Sequence, residues 1–110
     1  MKTIRFSHNW NNKLDCNVFT TIRKYTDEKF EYYSDAVGKP FKVLLKKAVV
    51  CEAELHSVVC MNSCNLDASL LMTDTGLEPP EARELLRRFG VGDEDKVLIL
   101  IFKKKQEVSD

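Results

Sequence analysis

Thr21 and Arg23 are the two side chains of this sequence best suited to ligand chemistry. Residues 19–23 are rich in β-branched side chains, which predicts a strand, and side chains two residues apart on a strand share a face. Arginine offers a planar fork of donors that fits a phosphate, a carboxylate or the edge of a base. Threonine adds a hydroxyl that donates, accepts or, once activated, attacks. The alternative is a structural pair, with the threonine at the rim of the sheet and the arginine on a surface glutamate.

A segment rich in tyrosine and lysine follows this strand directly. Lys24 could contact a phosphate while Tyr32 and Tyr33 stack on a nucleobase, so these three residues are candidate ligand contacts. Residues 24–35 mix charges with aromatic rings, which favours a long loop or an irregular excursion. Loops of that length often carry function.

The cysteines and histidines do not form a metal-binding pattern. His56, Cys60 and Cys64 come nearest to one, but the spacing contains no Cys-x-x-Cys pair and no complete set of four ligands. We therefore predict neither a metal nor another cofactor. With no secretion signal at the start of the sequence, we expect free thiols and a cytoplasmic protein. The longest apolar run, residues 97–102, is far too short to cross a membrane, so no membrane partner is expected.

Alternation of apolar and polar residues predicts most of the strands. They are expected at residues 3–7, 19–23, 41–46 and 48–61, followed by a strand at residues 96–102 that is apolar on both faces. In the fourth strand one face is predicted to hold Val49, Cys51, Ala53, Leu55 and Val59.

Two helices are predicted between the last two strands. The first covers Leu66, Leu70 and Leu71 and ends near Gly76. The second opens at Pro79 and has an apolar face formed by Ala82, Leu85, Leu86 and Phe89. This order of elements predicts an α+β fold, a small mixed β-barrel of five to six strands with two or three short helices.

The sequence Phe19-Thr20-Thr21-Ile22-Arg23, the glycine turn at Gly38 and the helical segment 66–89 resemble an ASCH domain, a branch of the PUA-like β-barrel superfamily. In that family a Thr-x-Arg sequence ends the strand after the first short helix. The order of elements agrees over residues 2–103. The resemblance therefore implies one PUA-like domain at residues 1–103, followed by a polar tail at residues 104–110.

The resemblance implies two kinds of activity. Some ASCH relatives are described as amide hydrolases acting on acetylated cytidine nucleosides, and others are linked to RNA binding or RNA cleavage. The hydrolases use a lysine three residues before the motif threonine, the threonine itself and a glutamate near the helical segment. The threonine corresponds to Thr21, the glutamate falls near Asp74, and Val18 occupies the lysine position. Valine cannot act as a base, and Asp74 has an alternative role as a turn residue between helices.

We therefore expect an RNA- or nucleotide-binding domain with a cleft beside the Thr-x-Arg strand, whose partner is RNA or a modified nucleoside or nucleotide. One alternative is an amidohydrolase in which Thr21 and Asp74 are catalytic. A second is a protein-interaction module without a ligand. The sequence leaves the oligomeric state open.

The distribution of charge agrees with a nucleic-acid site in the first half of the chain. The 17 basic and 17 acidic residues cancel, which argues against an indiscriminate, histone-like phosphate binder. Residues 1–47, however, hold ten basic and five acidic residues, whereas residues 48–102 hold four basic and ten acidic residues. The positive charge therefore lies in the half that carries the Thr-x-Arg strand.

Overall fold

The computed structural model of the chain describes residues 1–105. Its strands and helices, in chain order, are β1 (Lys2–Phe6), a 3₁₀ helix (Trp10–Asp15), β2 (Val18–Lys24), α1 (Asp27–Asp35), β3 (Pro40–Leu45), β4 (Ala48–Asn62), a second 3₁₀ helix (Ser63–Asn65), α2 (Ala68–Thr75), α3 (Pro79–Arg88) and β5 (Lys96–Lys104). The α+β class is confirmed, with one five-stranded mixed sheet and three α-helices. The predicted tail begins within β5, at Lys104, and its residues 106–110 lie outside the described part of the chain.

The five strands form one sheet in the order β1-β3-β4-β5-β2. The β1–β3 pair is parallel, and the other three pairs are antiparallel. No backbone ladder joins the edge strands β1 and β2 within residues 1–105, so the sheet is not closed into a barrel. Side chains nevertheless meet across the two edges, since the rings of Phe6 and Phe19 pack edge to face with centroids 6.2 Å apart. Closure into a PUA-like barrel stays a prediction.

Each face of the sheet has its own hydrophobic core. The first core is rich in aromatic rings and includes Ile4, Phe6, Leu14, Phe19, Phe41, Val43, Leu55, Leu98, Leu100 and Phe102. The second lies under α2 and α3 and consists of Leu66, Leu71, Ala82, Leu86, Val91, Val97 and Ile99. Because β5 contributes to both cores and has a neighbour on each side, its two apolar faces are explained.

The predicted loop at residues 24–35 is wrong, because most of it forms α1. Thr26 caps this helix, with its Oγ1 accepting a hydrogen bond from the Lys29 amide at 3.0 Å. Two acidic residues lie in the first turn, where the helix dipole favours negative charge. The helix has no buried residue, so its sequence lacks the apolar stripe by which a helix is usually recognised.

Val49 and Val59 do not share the buried face of β4 as predicted, because two bulges interrupt the strand. One bulge leaves His56 unpaired with β5, and the other leaves Val50 unpaired with β3. Each extra residue reverses the alternation of side chains. Val49 and Val59 are consequently 57% and 40% exposed, while Val58 packs against the first core.

The two predicted helices before β5 are confirmed, but the first begins at Ala68 and does not include Leu66, and the second differs from the prediction in the packing of Phe89. Asp67 caps α2 by accepting a hydrogen bond from the Leu70 amide at 2.7 Å, and Gly76 ends that helix in the left-handed conformation with φ of 75°. In α3, Phe89 is the C-cap rather than part of the apolar face and is 56% exposed.

Candidate functional site

A buried lysine–aspartate pair lies where the first 3₁₀ helix meets α2. Lys13 Nζ donates to Asp74 Oδ1 at 3.0 Å, and the two residues are only 6% and 5% exposed. Thr20 Oγ1 donates to the same carboxylate oxygen at 2.9 Å. Asp74 lies in the last turn of α2, where the helix dipole disfavours a carboxylate, so the lysine and the hydroxyl offset an unfavourable position.

The first 3₁₀ helix holds Lys13 against α2 through two unusual asparagines. Asn11 and Asn12 have φ of 56° and 52°, in the left-handed region that asparagine enters more easily than most residues. Asn11 Nδ2 also donates to the backbone oxygen of Thr73 at 3.0 Å. This local bend and the hydrogen bond to α2 bring the lysine to the carboxylate.

Thr21 and Arg23 contact each other on the opposite face of β2. Arg23 Nε donates to Thr21 Oγ1 at 3.0 Å, and Arg23 Nη2 donates to the backbone oxygen of Arg5 at 2.9 Å. Thr21 is 3% exposed, whereas Arg23 is only partly buried. The guanidinium therefore spans the gap between the edge strands β2 and β1. None of the carboxylates in residues 1–105 forms an ion pair with it.

Phe6 joins the two groups of polar residues. Its ring centroid lies 4.8 Å from the Arg23 guanidinium carbon and 5.4 Å from Lys13 Nζ. Cations at these distances are attracted to the electron-rich face of the ring. We call Lys13, Thr20, Thr21, Arg23 and Asp74 the polar cluster. It contains two cations and one carboxylate, so it carries a net positive charge.

Burial sets the ionisation of the polar cluster. It lowers the pKa of Lys13, the charge and hydrogen bond of Asp74 raise that pKa, and the charge of Arg23 lowers it. Burial also lowers the pKa of the Arg23 guanidinium, against the influence of Tyr33 and Asp74, but a guanidinium stays protonated. Burial raises the pKa of the Tyr33 phenol, while Arg23 lowers it. Partly desolvated and incompletely neutralised positive charge attracts an anion.

The structure brings three of the predicted site residues together. Thr21 is bonded to Arg23, and Tyr33 lies close enough to Arg23 for each to affect the pKa of the other. The Tyr33 ring is half-buried and stacks on Phe41, with centroids 6.1 Å apart. Asp74 bonds Thr20 and not the motif threonine, although its charge also reaches Arg23.

The other two predicted residues lie away from Arg23. Lys24 follows Arg23 on β2 and so points to the opposite face, where its Nζ lies 3.8 Å from the position that a Cβ at Gly90 would take. Tyr32 is 41% exposed, and Lys2 Nζ lies 4.1 Å from its ring centroid. Tyr32 lines a surface depression of about 540 Å³ beside the first residues of β1.

Lys13 and Thr20 are the members of the polar cluster that were absent from the predicted site. Val18, at the position of the family lysine, is 54% exposed, and the buried lysine comes from a different element. The position of Lys13 directly before the apolar Leu14 was the only indication in the sequence that this lysine could be buried. Its partner Asp74 becomes evident only when the 3₁₀ helix is seen to dock on α2.

The described residues form neither a metal site, nor a disulfide, nor a membrane-spanning helix. Within residues 1–105, no three or more His, Cys, Asp or Glu side chains converge on a point that could hold a metal ion. The four cysteines, all in this range, are unpaired. In the same part of the chain, no helix has the length and apolar character needed to cross a membrane.

Comparison of the chain with known protein families, with curated proteins and with solved structures finds no match. Membership of the ASCH family therefore stays a prediction. The polar cluster and the residues around it are therefore the basis for inferring a function.

Proposed function

We propose that the protein binds a phosphate of RNA or of a nucleotide at Arg23. The observation that carries the proposal is a partly buried guanidinium, held by hydrogen bonds to Thr21 and Arg5, that has no carboxylate partner in an ion pair among residues 1–105. Thr21 and Arg5 occupy Nε and Nη2 and hold the plane of the guanidinium. Arg23 Nη1 donates to none of the described residues, so its N–H groups can donate to a ligand. The forked donors of arginine suit a planar carboxylate or a tetrahedral phosphate.

The surroundings of Arg23 favour a nucleotide over a simple anion. The half-buried Tyr33 lies close enough to Arg23 for each to affect the pKa of the other, and a tyrosine near an arginine suits a base near its phosphate. Lys13 adds a second cation, and the first half of the chain is basic. The ASCH resemblance points to the same class of ligand.

Binding of a fluorescein-labelled single-stranded RNA, followed by anisotropy, tests this proposal. Arg23→Gln should weaken binding by roughly 10- to 100-fold, the loss expected when a charge-assisted hydrogen bond is removed. Arg88→Gln is the matched control, because it removes the same charge from an exposed position on α3. An equal effect of both substitutions, or none from Arg23→Gln, would contradict the proposal.

A second candidate function is hydrolysis of an amide on an acetylated cytidine-type nucleoside, and the buried Lys13–Asp74 pair favours it. Burial lowers the pKa of Lys13, which makes the neutral amine needed to accept a proton more accessible. In this alternative Thr21 is the nucleophile, and Arg23 Nε stabilises negative charge on its oxygen. Asp74 orients Lys13.

Turnover of N4-acetylcytidine distinguishes the two candidates. Release of acetate by the wild type that is lost in both Thr21→Ala and Lys13→Met would establish the hydrolase. Thr3→Ala is the control at an exposed threonine of β1 outside the polar cluster, and it should keep the turnover. No turnover together with RNA binding leaves the binding proposal standing.

A further inference from the structure

We propose that the ligand at Arg23 is an extended single strand of RNA, and that the β3–β4 turn formed by Lys46 and Lys47 holds its neighbouring phosphates. The inference rests on the proposed function, since Arg23 binds the first phosphate. It goes further by naming the class of ligand and a second contact surface outside the polar cluster.

The β3–β4 turn is strained in a way that its sequence does not explain. Lys46 and Lys47 connect the paired residues Leu45 and Ala48, and their φ angles are 51° and 74°. Two-residue hairpin turns with positive φ at both positions strongly prefer Asn-Gly, because a side chain such as lysine is disfavoured in the left-handed region. Strained residues of this kind concentrate at functional sites.

Both lysines are available to a ligand. Each is exposed, and neither forms an ion pair within residues 1–105. The two charges are adjacent at the tip of a hairpin, with the exposed valines of β4 behind them. A strained, exposed and purely basic turn contributes nothing evident to the stability of the fold, so its charge is the property that needs an explanation.

The β3–β4 turn lies next to the Arg23 site. The Lys46 amide donates to the backbone oxygen of Phe6 at 3.0 Å, and Arg23 Nη2 donates to the preceding oxygen, that of Arg5, at 2.9 Å. Successive carbonyls of a strand point to opposite sides. The turn and the guanidinium therefore flank the end of β1, one on each side, and the centroid of the Phe6 ring lies 4.8 Å from the guanidinium carbon.

This arrangement favours a polynucleotide over a mononucleotide. A single phosphate satisfies Arg23 alone, whereas successive phosphates of one strand can also contact the lysines across the end of β1. The strand should be single, because Tyr33 is half-buried and only an unstacked base could reach its ring. The ligand is therefore expected to present a row of phosphates and, next to them, a base that stacks.

Salt titrations of two double variants and of Arg23→Gln test the proposal. The affinities for a ten-nucleotide single-stranded RNA and for cytidine monophosphate are measured between 50 and 200 mM salt. Lys46→Gln with Lys47→Gln should weaken RNA binding about 10-fold at the lower salt and reduce the salt slope by about 1.4, the value for two single-strand phosphate contacts. Binding of cytidine monophosphate should not change. Lys39→Gln with Arg88→Gln removes two exposed charges, one before β3 at the end opposite the turn and one on α3, and should change RNA affinity less than about twofold.

Each result decides between the possibilities. Unchanged RNA affinity and salt slope in the turn variant, with loss of binding in Arg23→Gln, would overturn the extended-strand inference and leave the Arg23 site intact. Retention of binding in Arg23→Gln would instead overturn the proposed function. Tighter binding of the turn to vesicles of anionic phospholipid than to RNA would identify a lipid surface and also overturn the inference.

A second double variant separates charge from folding. Lys46→Asn with Lys47→Gly introduces the preferred turn sequence and should raise the Tm by roughly 5 °C while weakening RNA binding as the glutamine variant does. Weaker binding in a more stable protein cannot come from unfolding. Unchanged binding in this variant would overturn the inference.

Discussion

At the scale of single residues, the polar cluster contains a buried ion pair, whose burial is energetically unfavourable, and a positive charge that no carboxylate of the cluster neutralises. Asp74 is buried in the last turn of α2, and Lys13 is buried opposite it. Such a pair adds little to stability compared with apolar residues, but the loss of one partner leaves the other charge buried and uncompensated. Arg23 adds positive charge that the cluster does not balance, which is the basis of the proposed anion site.

Asp74→Asn should lower the free energy of unfolding by about 3–5 kcal/mol, because Lys13 is left without its carboxylate. Urea denaturation measures this. Asp93→Asn is the matched control, since Asp93 pairs with Arg87 at the surface and its loss should have little effect. Adding Lys13→Met to Asp74→Asn should restore part of the loss. Equal effects of the two aspartate substitutions would contradict the account of the pair.

Tyr33 should make the stability of the protein sensitive to alkaline pH. Its pKa is raised by burial above the unfolded value of about 10, so the phenol ionises more easily in the unfolded chain. Below pH 10 it is neutral in both states, and its contribution to stability is lost as the pH rises toward the raised folded pKa. In urea denaturation at pH 8 to 11.5, the wild type should therefore lose more stability above pH 10 than Tyr33→Phe. Parallel pH profiles of the two proteins would refute this explanation.

At the scale of elements, the periodicity of apolar residues was sufficient to predict a strand or helix wherever one face of that element is buried. The alternation in β1 and β3 and the spacing of apolar residues in α3 predicted these elements because their side chains pack against a core. It failed for α1, which buries no residue and is defined by its Thr26 cap. It also failed for the faces of β4, because a bulge changes the register without any mark in the sequence.

The candidate site was predictable only in part, and for the same reason. Thr21 and Arg23 are two apart on one strand, so a local pattern shows that they share a face. The contact between Lys13 and Asp74 joins residues 61 positions apart and depends on two left-handed asparagines. No local pattern predicts where the first 3₁₀ helix docks.

Thr26→Ala should destabilise the protein by about 1 kcal/mol, because the first turn of α1 loses its side-chain cap. Thr26→Ser keeps a hydroxyl in the same place and should retain most of the stability. Urea denaturation of the two variants beside the wild type measures the difference. A serine variant as unstable as the alanine variant would show that the cap is not the cause.

At the scale of the whole molecule, charge and topology coincide. The basic first half contributes both edge strands of the sheet, β1 and β2, and the turn that ends β3. The acidic second half contributes the helices that cover the other face. Arg23 spans the gap between the two edge strands, so a ligand bound to it would lie next to both β1 and β2.

A ligand at this position should stabilise the fold as a whole. Single-stranded RNA at about 100 times its Kd should add about 2.7 kcal/mol to the free energy of unfolding, a rise in Tm of roughly 10 °C for a domain of this size. Differential scanning fluorimetry measures the shift, and Arg23→Gln, with its 10- to 100-fold weaker binding, should keep only about 0.4–1.4 kcal/mol of the stabilisation at the same RNA concentration. A shift of the same size in the variant would place the RNA elsewhere on the protein.

The most direct test of the central claim is the ¹H–¹⁵N resonance of Arg23 Nε, assigned by its absence from the spectrum of Arg23→Gln. This group donates to Thr21 Oγ1 and lies beside the donors available to a ligand. We predict a saturable shift of the resonance as single-stranded RNA is added, with a smaller response at high salt. A resonance that stays in place while RNA binds, or at saturating RNA concentration, would contradict the assignment of the phosphate site to Arg23.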